Sequence, residues 1–208
     1  MRRIPRKIVA ATTVGVLALA RLRNARRRGA VKSIATFTTA DGKPRVVTLG
    51  RGRFVRIWDA DSGRRLRRLP MSGASVHLAT FVSSTGSPRL AVLTADQEIH
   101  VWDPVAGNQI DELRVAEADM GSRLVAWNTT SGHPRIAVTC GDAGIRIIDP
   151  EAGTQDGLVL MGHEVAVVDL ATWFTPGGQP RLASSGDGVT LLWDPETGRS
   201  VGRLTGPD

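Results

Sequence analysis

A single cysteine, Cys140, stands among 208 residues, so no intrachain disulfide framework holds the fold and nothing requires an oxidising compartment. Cys140 lies in an apolar segment and is expected to be a buried, inert thiol. Tyrosine is missing altogether, and four Phe and five Trp bring the aromatic share to only 4%. That is too sparse for the interleaved aromatic platform that grips single-stranded nucleic acid. Acidic residues are missing from positions 1–30, which hold nine of the 27 Lys and Arg residues. The other eighteen face twenty Asp and Glu, so the remainder carries a net charge of −2 and the overall +7 belongs to the N-terminal segment. A basic nucleic-acid-binding body is thereby excluded.

Catalytic motifs are missing too. There is no Gly-x-x-x-x-Gly-Lys-Ser/Thr, no nucleophile elbow and no carboxylate pair set apart from the turns. The four histidines, His77, His100, His133 and His163, have a spacing that fits no metal motif. Asp59-Ala60-Asp61-Ser62-Gly63 opens like a calcium loop, but Arg and Leu stand where a bidentate glutamate belongs. No catalytic residue, metal or cofactor is therefore expected.

What is present is a repeat. Gly42-Lys43-Pro44-Arg45 returns as Gly86-Ser87-Pro88-Arg89, Gly132-His133-Pro134-Arg135 and Gly178-Gln179-Pro180-Arg181, at steps of 44, 46 and 46 residues. Trp58-Asp59, Trp102-Asp103, Ile148-Asp149 and Trp193-Asp194 keep the same beat, each with a glycine four residues after the Asp. Inside the last unit, 166–174, 181–185, 189–193 and 200–204 read as strands divided by Thr-Pro-Gly-Gly, Gly-Asp-Gly and Asp-Pro-Glu-Thr-Gly. Four short antiparallel strands cannot bury both faces alone, so each unit must stack on a neighbour.

In period, strand number and the Trp-Asp ending, residues 31–208 resemble WD40 repeats, in the Gly-x-Pro-Arg style of actinobacterial proteins. The resemblance implies an all-β chain, a β-propeller of four WD40-type four-stranded antiparallel blades at about 31–72, 73–117, 118–162 and 163–208, with the first strand of each innermost. It also implies a structural hydrogen-bond chain. The last blade matches it with His163, Ser185, Asp187 and Trp193; the second keeps Thr94, Asp96 and Trp102; the third keeps Asp142, with Ile148 and Cys140 as departures; the first retains Trp58 alone. Blade 1 is expected to be the least stable and blade 4 the most.

Four blades are fewer than this family usually closes into a ring, so the alternatives are a part-propeller, two copies sharing one ring, or closure alone. Residues 1–30 read as a basic arm, a signal or anchor around the apolar run at 8–20, or a decayed fifth blade. Thirteen apolar residues are too few to cross a bilayer. A cytoplasmic location is expected, with export or membrane attachment through residues 1–20 as the alternative. The arm's arginines are suited to nonspecific contact with anionic lipid or nucleic acid.

The missing chemistry points to recognition: a non-catalytic scaffold for a protein or peptide partner, standing alone or as the sensor region of a larger regulatory protein. An enzyme with its site in the propeller channel is the contrary reading; it requires Ser, His, Asp or metal ligands converging from several blades, and His77 beside two carboxylates at the channel mouth would be its sign. In WD40 relatives partners dock on the loops joining fourth to first and second to third strands. Here that face comprises Arg51, Arg53, Ser75, His77, Gln97, Glu98, Glu117, Asp119, Arg123 and Glu164. Its mixed charge favours a protein over nucleic acid. Arg64, Arg65, Arg67 and Arg68 form a second basic patch, read as charges that keep an outer strand from pairing with another sheet.

Overall fold

A computed structural model of the chain describes residues 31–50, 53–115, 121–141, 143–152, 157–186 and 188–206. Among these residues there is no helix, and the strands form four separate sheets of four. Blade 1 is β1 (Val31–Thr38), β2 (Pro44–Gly50), β3 (Phe54–Asp59) and β4 (Arg65–Pro70). Blade 2 is β5 (Ser75–Val82), β6 (Pro88–Thr94), β7 (Glu98–Trp102) and β8 (Gln109–Arg114). Blade 3 is β9 (Leu124–Asn128), β10 (Pro134–Thr139), β11 (Ile145–Ile148) and β12 (Leu158–Leu160), and blade 4 is β13 (Asp169–Phe174), β14 (Pro180–Gly186), β15 (Val189–Asp194) and β16 (Arg199–Thr205). Each sheet is an antiparallel meander whose order in space follows the chain. The first strands β1, β5, β9 and β13 lie beside one another in succession, so the sheets stack as blades of a β-propeller.

Local chemistry sets the hairpins. Gly42, Gly86, Gly132 and Gly178 have φ of 79°, 81°, 88° and 78°, a left-handed conformation that a Cβ would strain. The proline two residues on opens the second strand of each blade, where its fixed φ and missing N–H are tolerated. The second strands are then apolar on both sides: β2 and β6 are each buried over their last five residues, as strands covered on both faces must be. The outer strands β4 and β8 bury one residue apiece, Leu69 and Leu113.

Pleat alternation divides each blade into a leading face, toward the preceding blade, and a trailing face, toward the next. Phe37, Val47, Leu49 and Val55 on the trailing face of blade 1 pack on Leu78, Leu90, Val92 and Trp102 of blade 2. Phe81, Ala91, Leu93 and Ile99 do the same against Leu124, Ile136, Val138 and Ile148 of blade 3. Trp127, Ala137, Ile145 and Leu160 meet Leu170, Leu182, Leu191 and Trp193 of blade 4. Among the described residues no cluster joins blade 4 to blade 1, and the stack is open there.

The inner strand expected at 166–174 starts at Asp169 instead. In blades 1 and 2 the register shifts at the corresponding place, between Val31 and Ser33 and between Ser75 and His77. In blade 4 the Ala166 carbonyl passes so close over Gly186 that a Cβ there would collide with it, and Val168 N–H bonds to Ser185 O at 2.8 Å outside the regular ladder. Ala166, Val167 and Val168 therefore lie outside the β13–β14 ladder.

Candidate functional site

The two sequence landmarks are halves of one bonded unit. At the base of each second strand the arginine of Gly-x-Pro-Arg donates from Nη1 to the carbonyl of its own proline, at 2.8–2.9 Å in all four blades. The same nitrogen reaches the aspartate that ends the third strand: Arg45–Asp59 at 2.7 Å, Arg89–Asp103 at 3.4 Å, Arg135–Asp149 at 2.7 Å and Arg181–Asp194 at 3.7 Å. The other carboxylate oxygen accepts backbone N–H groups of the following turn, as Asp103 does from Val105 and Ala106 at 2.8 Å each. The Asp59 carboxyl is held below the usual carboxylate range, first by the Ser62 N–H, then by the Ser62 hydroxyl, with Arg45 adding to both.

The hydroxyl of the structural chain is Ser184, not Ser185. Trp193 Nε1 donates to Ser184 Oγ at 2.8 Å, and His163 Nε2 lies 2.7 Å from the same oxygen. Leu182 pairs with Trp193 across the strands, so Ser184, two residues along, shares its face. Ser185 points to the opposite, trailing face because a one-residue step reverses the pleat. The same register puts Thr48, Val92 and Val138 at this position in blades 1 to 3. Blade 1 therefore keeps more than its tryptophan: Trp58 Nε1 donates to Thr48 Oγ1 at 2.8 Å. Blade 2 does not use Thr94, which donates to Glu98 O at 3.3 Å, and with Val92 in the hydroxyl position Trp102 Nε1 is buried without a partner. Asp96 is exposed in its turn with its carboxylate against Gly73. Cys140 is buried in the junction between blades 2 and 3. Asp142 and Asp187 lie outside the described residues.

His163 is held below the ordinary histidine value mainly by burial; its contact with Ser184 opposes that shift and the charge of Arg203 adds to it.

The loop face gathers at the end of the stack where first and third strands begin. Strand pairing joins Phe54 to Pro70 and Glu98 to Arg114, so the starts of β3 and β7 and the ends of β4 and β8 share that end. Arg53 and Glu164 are exposed there. Arg123 is anchored, its Nη1 donating to Gly121 O at 2.7 Å. Glu98 is turned inward, with its side chain 18% exposed and drawn to His100 and Arg114. Ser75 is buried and Gln97 is exposed, with a φ of 64°. Arg51, Glu117, Asp119 and the whole of 1–30 lie outside the described residues.

Repeat register gives one position at the start of the inner strand, just ahead of β9 in blade 3, a different polar residue in each blade: Ser33, His77, Arg123 and Asp169. Three of them interact. Burial lowers the His77 pKa, the Arg123 charge lowers it further, and Asp169 and the Leu124 backbone pull it upward. Among the described residues the carboxylate that acts on His77 is that of Asp169, opposed by the Arg123 guanidinium. Sequence reading found His77 and Arg123 but missed Asp169, whose signal was its place 46 residues after Arg123.

A second polar cluster lies on β7 and β8. His100 is buried, with Nε2 3.4 Å from Glu98 and Nδ1 3.5 Å from Glu112. These three residues bring ligand atoms within 4.8 Å of one another. Because the carboxylates approach opposite ring nitrogens, an ion held by one nitrogen would have to pull the other carboxylate around the ring; as placed, the cluster is an imidazole clamped between two acids. Of the arginine patch, Arg67 donates to Val105 O at 2.9 Å and Arg68 lies 3.6 Å from the Phe54 ring centroid.

No family model matches the chain, and no curated protein matches it. Among solved structures 1301 chains match, and a fold so widely shared does not by itself assign a function. One of them, described as "Crystal Structure of Mitotic Checkpoint Complex", is 22% identical, with a TM-score of 0.61 over 83% of this chain and 51% of that one. The likeness shows the propeller fold, and the matched region spans about half the length of that chain. Among the described residues no helix is long and apolar enough to cross a membrane.

Proposed function

We propose that the chain is a non-catalytic scaffold that holds a protein or peptide partner on its loop face, in a regulatory or assembly role. The observation that carries this reading is the interacting set His77, Arg123 and Asp169, in which three successive blades bring imidazole, guanidinium and carboxylate together at the end of the stack where Arg53 and Glu164 are exposed. Mixed charge on a rigid platform suits a partner carrying charges of both signs and disfavours a polyanion. The solved relative belongs to a complex, which agrees with a role in assembly. A lone buried thiol agrees with a cytoplasmic setting, where it stays reduced.

A second reading, that these blades are the sensor region of a larger regulatory protein, is supported by the uncovered outer faces of blades 1 and 4, where Ile34 and Leu204 are exposed. The test is capture of partners by cross-linking to the immobilised full chain, compared with an Arg53→Glu, Glu164→Lys variant. Saturable binding of a protein that the variant loses supports the loop face. Binding that survives the variant, or no saturable protein binding under any condition, removes it.

A further inference from the structure

The blade flanks carry an inference that shares only Asp169 with the loop face and is tested through other residues, so either can fail without the other. On the trailing face, Phe37, Phe81 and Trp127 are buried under the following blade, and so are Leu69, Leu113 and Leu160. Blade 4 keeps the same residue classes at the same two positions without a following blade among the described residues: Trp173 is 39% exposed and Leu204 56%. On the leading face, Leu78, Leu124 and Leu170 are buried against the preceding blade, while their counterpart in blade 1, Ile34, is 43% exposed. Among the described residues, blades 1 and 4 thus expose the two halves of a junction that the chain builds three times between its other faces.

Polar groups at the two ends also match. At the junction of blades 1 and 2, Leu78 N–H donates to Ser33 Oγ at 3.3 Å and Thr80 Oγ1 donates to Thr36 O at 2.6 Å. Register places Asp169 at the position of Ser33, an acceptor for the Ile34 N–H, and places Thr36 at the position of Thr80, a donor for the Thr172 carbonyl.

We propose that a second copy of this chain covers both flanks, the Trp173–Leu204 face of each copy packing head to tail on the Ile34–Trp58 face of the other, so that two chains close one eight-bladed ring. A four-stranded blade of six-residue strands presents roughly 400 Å² of sheet, from the spacing of strands and residues. Two junctions cover four such faces, roughly 1,600 Å², the size of an ordinary stable interface. The contact is heterologous within each junction, and the two-fold axis closes it, which distinguishes a ring from an open filament.

Light scattering on the full chain tests this. The expected result is a discrete species of twice the 22.2 kDa chain mass that does not grow with concentration. Trp173→Glu on one flank and Ile34→Glu on the other, both at solvent-facing positions, should each give a monomer that still melts cooperatively; Leu204→Glu serves as the second variant if Trp173→Glu unfolds. Mixing the two blocked monomers should restore a dimer through the one junction each leaves intact, which no face-to-itself contact would do. A monomer at every concentration, a mass series that climbs without limit, a dimer indifferent to both substitutions, or failure of the mixture to pair would overturn the proposal.

Discussion

Replacing Val92 with threonine should stabilise the protein, although it puts a hydroxyl into a fully buried position. Trp102 Nε1 is buried with no acceptor, and a buried donor left unpaired costs about 1–3 kcal/mol. In blades 1 and 4 the side chain at this register position is Thr48 or Ser184, each accepting from its tryptophan at 2.8 Å. Threonine nearly preserves the shape of valine but gives up one methyl, about 0.8 kcal/mol of burial. Its hydroxyl would stand opposite His100, the directly paired residue on β7. The balance is a gain of about 1 kcal/mol, or about 2–4 °C in Tm for a chain of this size. Urea unfolding of the two proteins at equal concentration measures it. The reverse change in blade 1, Thr48→Val, made in the monomeric Ile34→Glu chain, should cost less than about 0.5 kcal/mol because Trp58 is only half-buried in the single chain and water can replace the lost acceptor. If Val92→Thr instead destabilises by 1 kcal/mol or more, the added hydroxyl has not met the indole and the register argument is wrong.

Other outcomes follow from the same contacts. Ser184→Ala removes the acceptor of Trp193 and the partner of His163 together and should cost about 1–3 kcal/mol in urea unfolding, whereas Ser185→Ala should be nearly silent. Arg135→Gln should lose about 1 kcal/mol, less at high salt, and Arg181→Gln, whose aspartate is 3.7 Å away, should lose less than half as much. His163 and His77 both titrate below the ordinary histidine value, so the unfolded chain takes up protons first as the pH falls. Stability is then complete above about pH 6.5 and declines as the pH drops from there through the lower folded values. Thermal melts from pH 7.5 to 5 should show that decline and His163→Gln should flatten it; a Tm that rises on acidification contradicts the assignment.

The repeat, the strand count and the hairpins were legible because they rest on local chemistry. A glycine with positive φ and an aspartate accepting turn amides leave their mark within four or five residues. Facing was not legible. The second and third strands are apolar on both sides, so no alternation in the sequence says which of Ser184 and Ser185 meets Trp193, and a step of one residue sends the hydroxyl to the wrong junction. The same slip hid Thr48. The Arg–Asp unit left a signal that went unused: its members stand 14 residues apart in three blades. In blade 4 Arg181 and Asp194 are one residue closer in sequence, and the pair is looser there. Of the loop face, the sequence located the exposed Arg53 and Glu164 but had no means of seeing that Glu98 turns inward to His100, a contact set by the β7–β8 pairing.

Hydroxyl-radical footprinting of the full chain, diluted until it is monomeric, tests the open four-blade stack most directly. Trp102, Trp127 and Trp193, each inside a junction between blades, should resist oxidation, while Trp173 and Trp58 on the two end faces should label readily. A Trp173 as protected as Trp127, or a Trp193 oxidised as fast as Trp173, would mean that the blades do not stack in this order with these ends uncovered.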